Sequence, residues 1–190
     1  NFESGVFSNV QLTAILDIDP KRIEIAKEIY GDKLKYFTKK EDFFNSREFD
    51  AVLVATPHYA HPVLGMEALQ NDYHVLVEKP IGVYTKAVKR LYEAAKKSNK
   101  IFGVVFNQRT NPLYQKVKEL VETGELGVLK RINWIITDWY RTQAYYDSGT
   151  WRATWGGEGG GVLINQCPHQ LDLFQWIFGM PKRVRGFAYF

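Results

Sequence analysis

Two segments of this sequence carry residues able to move a proton on a small polar molecule. In Glu78-Lys79-Pro80 an amine sits between an acid and a ring that fixes the backbone. On spacing alone the triplet reads as a surface turn. Placed at the end of a strand, Lys79 is expected to reach a substrate hydroxyl and steady a developing alkoxide. The second segment runs from Gly159-Gly160-Gly161 through Asn165, His169 and Asp172. At steps of four and three, these last three side chains are expected on one side of a helix. His169 is suited to acid–base transfer; the competing reading is a histidine satisfied inside an apolar helix. Cys167 and His169 lack the further ligands and spacing of a zinc site, so no metal is expected.

Three more places suit ligand binding. Asp17 closes the first visible strand, where an acid in a dinucleotide fold accepts from the adenosine ribose hydroxyls and repels a 2′-phosphate. Its other reading is a helix cap, a task Asp19 can also perform. Thr56-Pro57, with His61 four residues on, follows a buried strand at the end where open α/β sheets bind ligands. There His61 reads equally as a cofactor contact or a helix cap. Trp139, Tyr140, Tyr146, Trp151, Arg152 and Trp155 read equally as substrate-pocket residues or as core or interface packing; Trp151-Arg152 is the preferred pair because it lies just before the glycines.

The elements that hold these residues alternate in the first half as βαβ units do. Strands are expected at 10–16, 34–37, 50–55 (buried on both faces), 74–77 and 101–106. Between them the spacing predicts a helix from Asp17-Ile18-Asp19-Pro20 to Tyr30, one opened by a Thr38/Glu41 capping box, one with Pro62 in its first turn, and one capped by Thr85. Past residue 107 the pattern changes. A helix is expected from Asn111-Pro112 to Gly124, a long strand over 129–140, a helix over 162–178 with apolar packing from Leu163, Leu171, Phe174 and Ile177, and a strand from 183. The fold class is therefore α/β: a Rossmann-type doubly wound parallel sheet over residues 1–107, then the start of an α+β domain over 108–190. No Gly-x-Gly-x-x-Gly turn opens the first unit, where Gly5 stands alone, so the chain reads as an internal portion of a longer one.

Composition narrows the function classes. The 190 residues are 45% hydrophobic and 24% charged, without a membrane-spanning apolar run. The net charge of +4 forms no basic stripe, so a nucleic-acid partner is not expected. A single cysteine and the lack of a visible secretory signal fit the cytoplasm.

Taken in order and spacing, Asp17-Ile18-Asp19-Pro20, Ala55-Thr56-Pro57 with His61, Glu78-Lys79-Pro80, and the glycine segment leading to His169 and Asp172 resemble the Gfo/Idh/MocA oxidoreductases. The resemblance covers essentially the whole chain. It implies a Rossmann domain followed by a domain with a large, mostly antiparallel open sheet, through which such proteins often form homo-oligomers, as dimers or tetramers. It implies oxidation or reduction of a sugar, inositol or related polyol with NAD, NADP being disfavoured by Asp17. The alternatives are an NAD-dependent glycosidase or a non-catalytic NAD-binding relative. By resemblance Lys79 borders the nicotinamide, Asp17, Thr56, Pro57, His61, Glu78 and Pro80 complete the cofactor contacts, and His169 is the acid–base group. Trp151, Arg152, Tyr140 and Asp172 are then the expected substrate contacts. Asn165 stands where many relatives carry aspartate; it cannot exchange a proton but can orient substrate, and aspartate there is expected to be tolerated.

Overall fold

The computed structural model describes residues 9–137 and 140–187. Its first half is a parallel α/β unit. Strand β1 (Ala14–Leu16) leads into helix α1 (Pro20–Tyr30), which starts where Asp19 accepts from the Lys21 amide and Pro20 occupies the first turn. Gly31, at φ 60°, ends it. Next come β2 (Lys35–Phe37), α2 (Lys40–Ser46), β3 (Ala51–Val54), α3 (His61–Gln70), β4 (His74–Val77), α4 (Thr85–Lys97) and β5 (Phe102–Val104). Two expected caps are corrected. Helix α2 begins one residue after Lys39 with no side-chain cap, which leaves Thr38 one position too early. Thr85 is itself the first residue of α4, so its hydroxyl lies past the capping position.

All strand pairs are parallel: β1 with β2, and β3 with β4 with β5. In a dinucleotide-binding sheet of order 3-2-1-4-5-6 these correspond to strands 2 and 3 and to strands 4, 5 and 6. Among the described residues nothing pairs with β1 and β3 in the place between them. The core joins Val52, Val54, Val75 and Val77 to Ala68, Leu69 and Leu91, with Phe43, Phe44 and Tyr73 at one end. Full burial of such a side chain contributes roughly 1.5–3 kcal/mol. Burial of β3 on both faces is not observed. It alternates, with Leu53 52% exposed, and Leu76 of β4 is 43% exposed. One face of this sheet is packed by α3, while the other is open among the described residues.

The second half is helical where it is regular. Helix α5 (Pro112–Glu122), capped by Asn111, packs against α9 (Pro168–Phe178). Between them lie the short helices α6 (Gln143–Asp147), α7 (Trp155–Glu158) and α8 (Val162–Asn165). The expected strand over 129–140 is not formed among its described residues, and neither is the one from 183 among residues 183–187. Apolar alternation makes a strand only when a neighbour completes the ladder, and no described segment does so here. The helix expected over 162–178 is two helices. Pro168 lacks an N–H and so interrupts the helical hydrogen-bond ladder; α8 ends at Asn165, and Pro168 becomes the first residue of α9, although Cys167 itself keeps right-handed helical angles. Of the expected packing residues Ile177 is buried and Phe174 partly so, whereas Leu163 and Leu171 are 68% and 57% exposed; Leu173 carries the remaining burial.

Candidate active site at the carboxyl ends of the strands

The turns after β3 and β4 are joined by one side chain. His61, 1% exposed, places Nδ1 2.7 Å from the Pro80 carbonyl oxygen and Nε2 2.6 Å from that of Thr56. It is not a cap: the residue preceding α3 is Ala60, without a side-chain bond. Both ring nitrogens face backbone oxygens, which leaves neither for a ligand. His61 therefore shapes the turns that carry Thr56, Pro57, Glu78, Lys79 and Pro80. Thr56 and Pro57 are exposed, open to a ligand at this edge. Glu78 accepts from the Lys79 amide at 3.1 Å, and the Lys79–Pro80 peptide is cis.

Lys79 is half-buried and reaches across to the second half of the chain. Its Nζ donates to the Asn165 carbonyl at 2.7 Å. The Asn165 side-chain amide in turn donates to the Glu158 carboxylate, and both residues are buried. His58, also buried, has Nδ1 2.8 Å from the Glu158 carbonyl oxygen and its ring edge-on to Trp151, centroids 5.4 Å apart. Burial pushes the Lys79 ammonium below the usual lysine range. Glu78 opposes this, Arg141 and Arg152 add to it, and Glu158 acts with Glu78.

His169 lies in the first turn of α9, close enough to Lys79 to feel its charge. Burial lowers its pKa from the ordinary histidine value, Lys79 lowers it further, and Glu78 and Asp172 pull the other way. Its Nδ1 is buried with no hydrogen-bond partner among the described residues. Asn165 and His169 belong to different helices, so the expected single helical face does not exist. Asp172 is already engaged. Both carboxylate oxygens accept from Arg109, at 2.7 Å from Nε and 2.5 Å from Nη2. Such a two-pronged pair uses the strongest acceptor positions of the carboxylate, which argues against a direct substrate contact. Asp172 instead ties α9 to the turn after β5.

The aromatic segment is built on close approaches. A Cβ on Gly157 would stand 2.0 Å from the Trp151 carbonyl oxygen, and one on Gly159, at φ 77°, would stand 2.3 Å from a Val83 methyl. These two glycines let the chain pass tightly enough to bury Glu158. Trp151 is half-buried against His58. The Arg152 guanidinium bonds Ser148 Oγ at 3.0 Å and the Tyr145 hydroxyl at 2.8 Å, and lies 4.3 Å from the Tyr145 ring centroid. Tyr140 is 81% exposed, and Trp139 lies outside the described residues. A cavity of about 360 Å³ opens beside Glu158, lined also by Arg141, Tyr146, Thr154, Trp155 and Gln166. A larger groove of about 1000 Å³ runs along α4. Its lining of lysines with Arg90, Asp72 and Glu93 is an ordinary mixed-charge surface and holds no group suited to redox chemistry.

Asp17 follows β1. Its Oδ1 accepts from the Asp19 amide at 2.9 Å, and Arg22 stands 3.9 Å from Oδ2. Because Asp19 caps α1, the second oxygen of Asp17 faces, among the described residues, that distant and exposed arginine, and is open to a ribose. Asp17, Thr56 and the Lys79 turn, at the carboxyl ends of parallel strands, fit a dinucleotide.

Three residues here escape a reading of motifs. Glu158 looks like one acid among glycines, His58 like a turn residue, and Arg109 like a surface charge. The only advance signal is Glu158 inside a glycine run, where a bulky charged residue needs a reason.

Comparison with known proteins agrees with this geometry. Residues 4–106 match a family profile described as an oxidoreductase family with an NAD-binding Rossmann fold, and residues 114–190 match the GFO/IDH/MocA C-terminal domain. The Bacillus subtilis protein YteT is 29% identical over 189 residues, covering 96% of this chain and 43% of YteT. The inositol 2-dehydrogenase of Rubrobacter xylanophilus is 29% identical over 167 residues, covering 87% of this chain and 44% of that enzyme. Among solved structures, the WlbA dehydrogenase of Bordetella pertussis in complex with NADH and UDP-GlcNAcA superposes with a TM-score of 0.80 at 29% identity, covering 93% of this chain and 50% of that one. The chain thus spans half or less of the length of these relatives. The first matched profile alone covers more than half of the sequence, and the chain belongs to the Gfo/Idh/MocA family of oxidoreductases.

Proposed function

We propose that the protein is an NAD-dependent dehydrogenase acting on a secondary hydroxyl of a sugar, inositol or related polyol, with Lys79 and His169 as its proton-handling pair. The observation that carries this reading is the bond from Lys79 Nζ to the Asn165 carbonyl, which holds a half-buried amine at the carboxyl ends of the strands beside His169. When bound, the nicotinamide supplies hydride transfer to or from the carbinol carbon. His169 takes the hydroxyl proton, for which its lowered pKa keeps the ring neutral near pH 7. Lys79, as an ammonium, donates to the same oxygen and steadies the charge left on it. Asp17 accepts from the ribose hydroxyls, and its charge favours NAD over NADP. Thr56 and Pro57 line the nicotinamide side, while Trp151 offers a ring face to the sugar. Arg152 and Asp172 support the site from behind, through Tyr145 and Arg109.

The test is steady-state turnover of the full-length protein with NAD on a panel of inositols and aldoses, following NADH absorbance. UDP-GlcNAcA belongs in the panel because the Bordetella neighbour was solved with it. NADH formation with a polyol supports the reading. Release of free sugar without net NADH would instead mark a glycosidase, and no turnover with any member would refute a dehydrogenase of this substrate class.

A further inference from the structure

Glu158 has no part in the chemistry above, yet it is the most deeply placed carboxylate of the site. It is 4% exposed, at the end of a helix too short to bury it by packing alone. Its placement is fixed from three sides. Its amide donates to the Thr154 carbonyl at 2.9 Å, its own carbonyl oxygen faces His58 Nδ1, and Gly159 turns the chain away immediately afterwards at φ 77°. A buried carboxylate is costly unless hydrogen bonds and an opposite charge compensate it. Here Asn165 donates its side-chain amide to the carboxylate, and the backbone oxygen of the same residue accepts from Lys79 Nζ. One asparagine therefore stands between a buried anion and a half-buried cation, with one hand on each.

We propose that Glu158 is a positioning residue for Lys79: through Asn165 it aims the Lys79 amine, and it sets a buried negative charge on the other side of that asparagine. This rests on the dehydrogenase reading for its purpose but not for its measurement. The charged and titratable groups that act on or respond to Lys79 are Glu78, Glu158, Arg141, Arg152, His58 and His169. The two arginines and burial favour the neutral amine, and the two acids oppose them. Glu78 is tied locally to the Lys79 amide, so Glu158 is the acid contributed by the second half of the chain. The arrangement also bears on position 165. Aspartate there would set a second carboxylate against the first.

The experiment measures the titration midpoint of Lys79 by competitive labelling with acetic anhydride and peptide mass spectrometry, in the full-length protein. Glu158→Gln keeps the size and an acceptor for Asn165 but removes the charge, and should lower the midpoint by about one pH unit. Asn165→Asp should raise it, and the double variant Glu158→Gln/Asn165→Asp, with one carboxylate restored, should return it toward the wild-type value. This ordered pattern, low, high and restored, is not what loss of packing produces, and Asn165→Asp carries the test if Glu158→Gln does not fold. A midpoint unmoved in folded Glu158→Gln, or a double variant no nearer to wild type than either single change, would overturn the proposal. Because no turnover is required, the ordered pattern in a protein that oxidises no polyol would refute only the dehydrogenase reading. Turnover with an unmoved midpoint would refute only the role of Glu158.

Discussion

Lys79 Nζ and the Asn165 carbonyl oxygen are 2.7 Å apart, and this bond joins the turn after β4 to the end of α8, 86 residues further along the chain. It brings the amine of the first half of the molecule into the same site as the histidine of the second.

The pH dependence follows from that pairing. His169 must be neutral to take a proton and Lys79 charged to stabilise the oxyanion. The His169 pKa is lowered from 6.5, so the acid limb of kcat/KM for oxidation should fall below pH 6.5. The Lys79 pKa is lowered from 10.5, so activity should be lost at the alkaline end before pH 10.5. A profile with its acid limb above 6.5 would contradict the burial of His169.

Neighbouring glycines should respond differently to the same change. A Cβ on Gly157 would meet the Trp151 carbonyl oxygen at 2.0 Å, backbone that cannot move cheaply, whereas a Cβ on Gly156 meets nothing within 4 Å. Gly157→Ala should cost about 2 kcal/mol or more, while Gly156→Ala should be neutral or slightly stabilising. Chemical denaturation of the two variants checks this, and equal effects would show that the close passage at Trp151 is wrong.

The Arg109–Asp172 pair makes a separate claim about stability. The Asp172 side chain is 9% exposed and that of Arg109 38%, so the open side of the arginine reduces what the pair contributes. Arg109→Ala should destabilise by about 2 kcal/mol, because it leaves a nearly buried carboxylate without its partner. Asp172→Asn should likewise lower the Tm and change KM little. A Michaelis constant raised tenfold in Asp172→Asn at unchanged Tm would return Asp172 to the substrate contacts.

Cofactor choice is tested at Asp17. Removing its charge by Asp17→Ala leaves Arg22, now 3.9 Å from the carboxylate, free to meet a 2′-phosphate. The ratio of NAD to NADP efficiency should fall by roughly tenfold. An unchanged ratio would mean that the ribose hydroxyls lie elsewhere.

Much of the fold was legible because local rules and tertiary structure agree in the first half. Asp19-Pro20 and Gly31 bound α1 by their own chemistry, and Val52 to Val54 form a strand wherever a parallel neighbour lies beside them. Residues 129–137 have strand-like alternation but no described partner, so alternation alone misled. Pro168 marked a disturbance that the sequence could not resolve into a kink or a break. At the site, Lys79 and His169 were legible as chemistry, yet their support was not. Glu158, His58 and Arg109 act over separations of 7, 100 and 63 residues from the groups they hold, and short motifs carry no trace of such pairings. His61 was visible as a candidate, but only the two carbonyl contacts show it to be a tie between turns.

The most direct measurement is the turnover of His169→Ala in the full-length protein, on whichever polyol the wild type oxidises, beside its NAD affinity and its unfolding curve. With His169 as the acid–base group, turnover should fall by roughly a hundredfold or more, with NAD affinity and fold unchanged. Wild-type turnover in a well-folded His169→Ala protein would contradict the proposed mechanism and make His169 a packing residue beside Phe106.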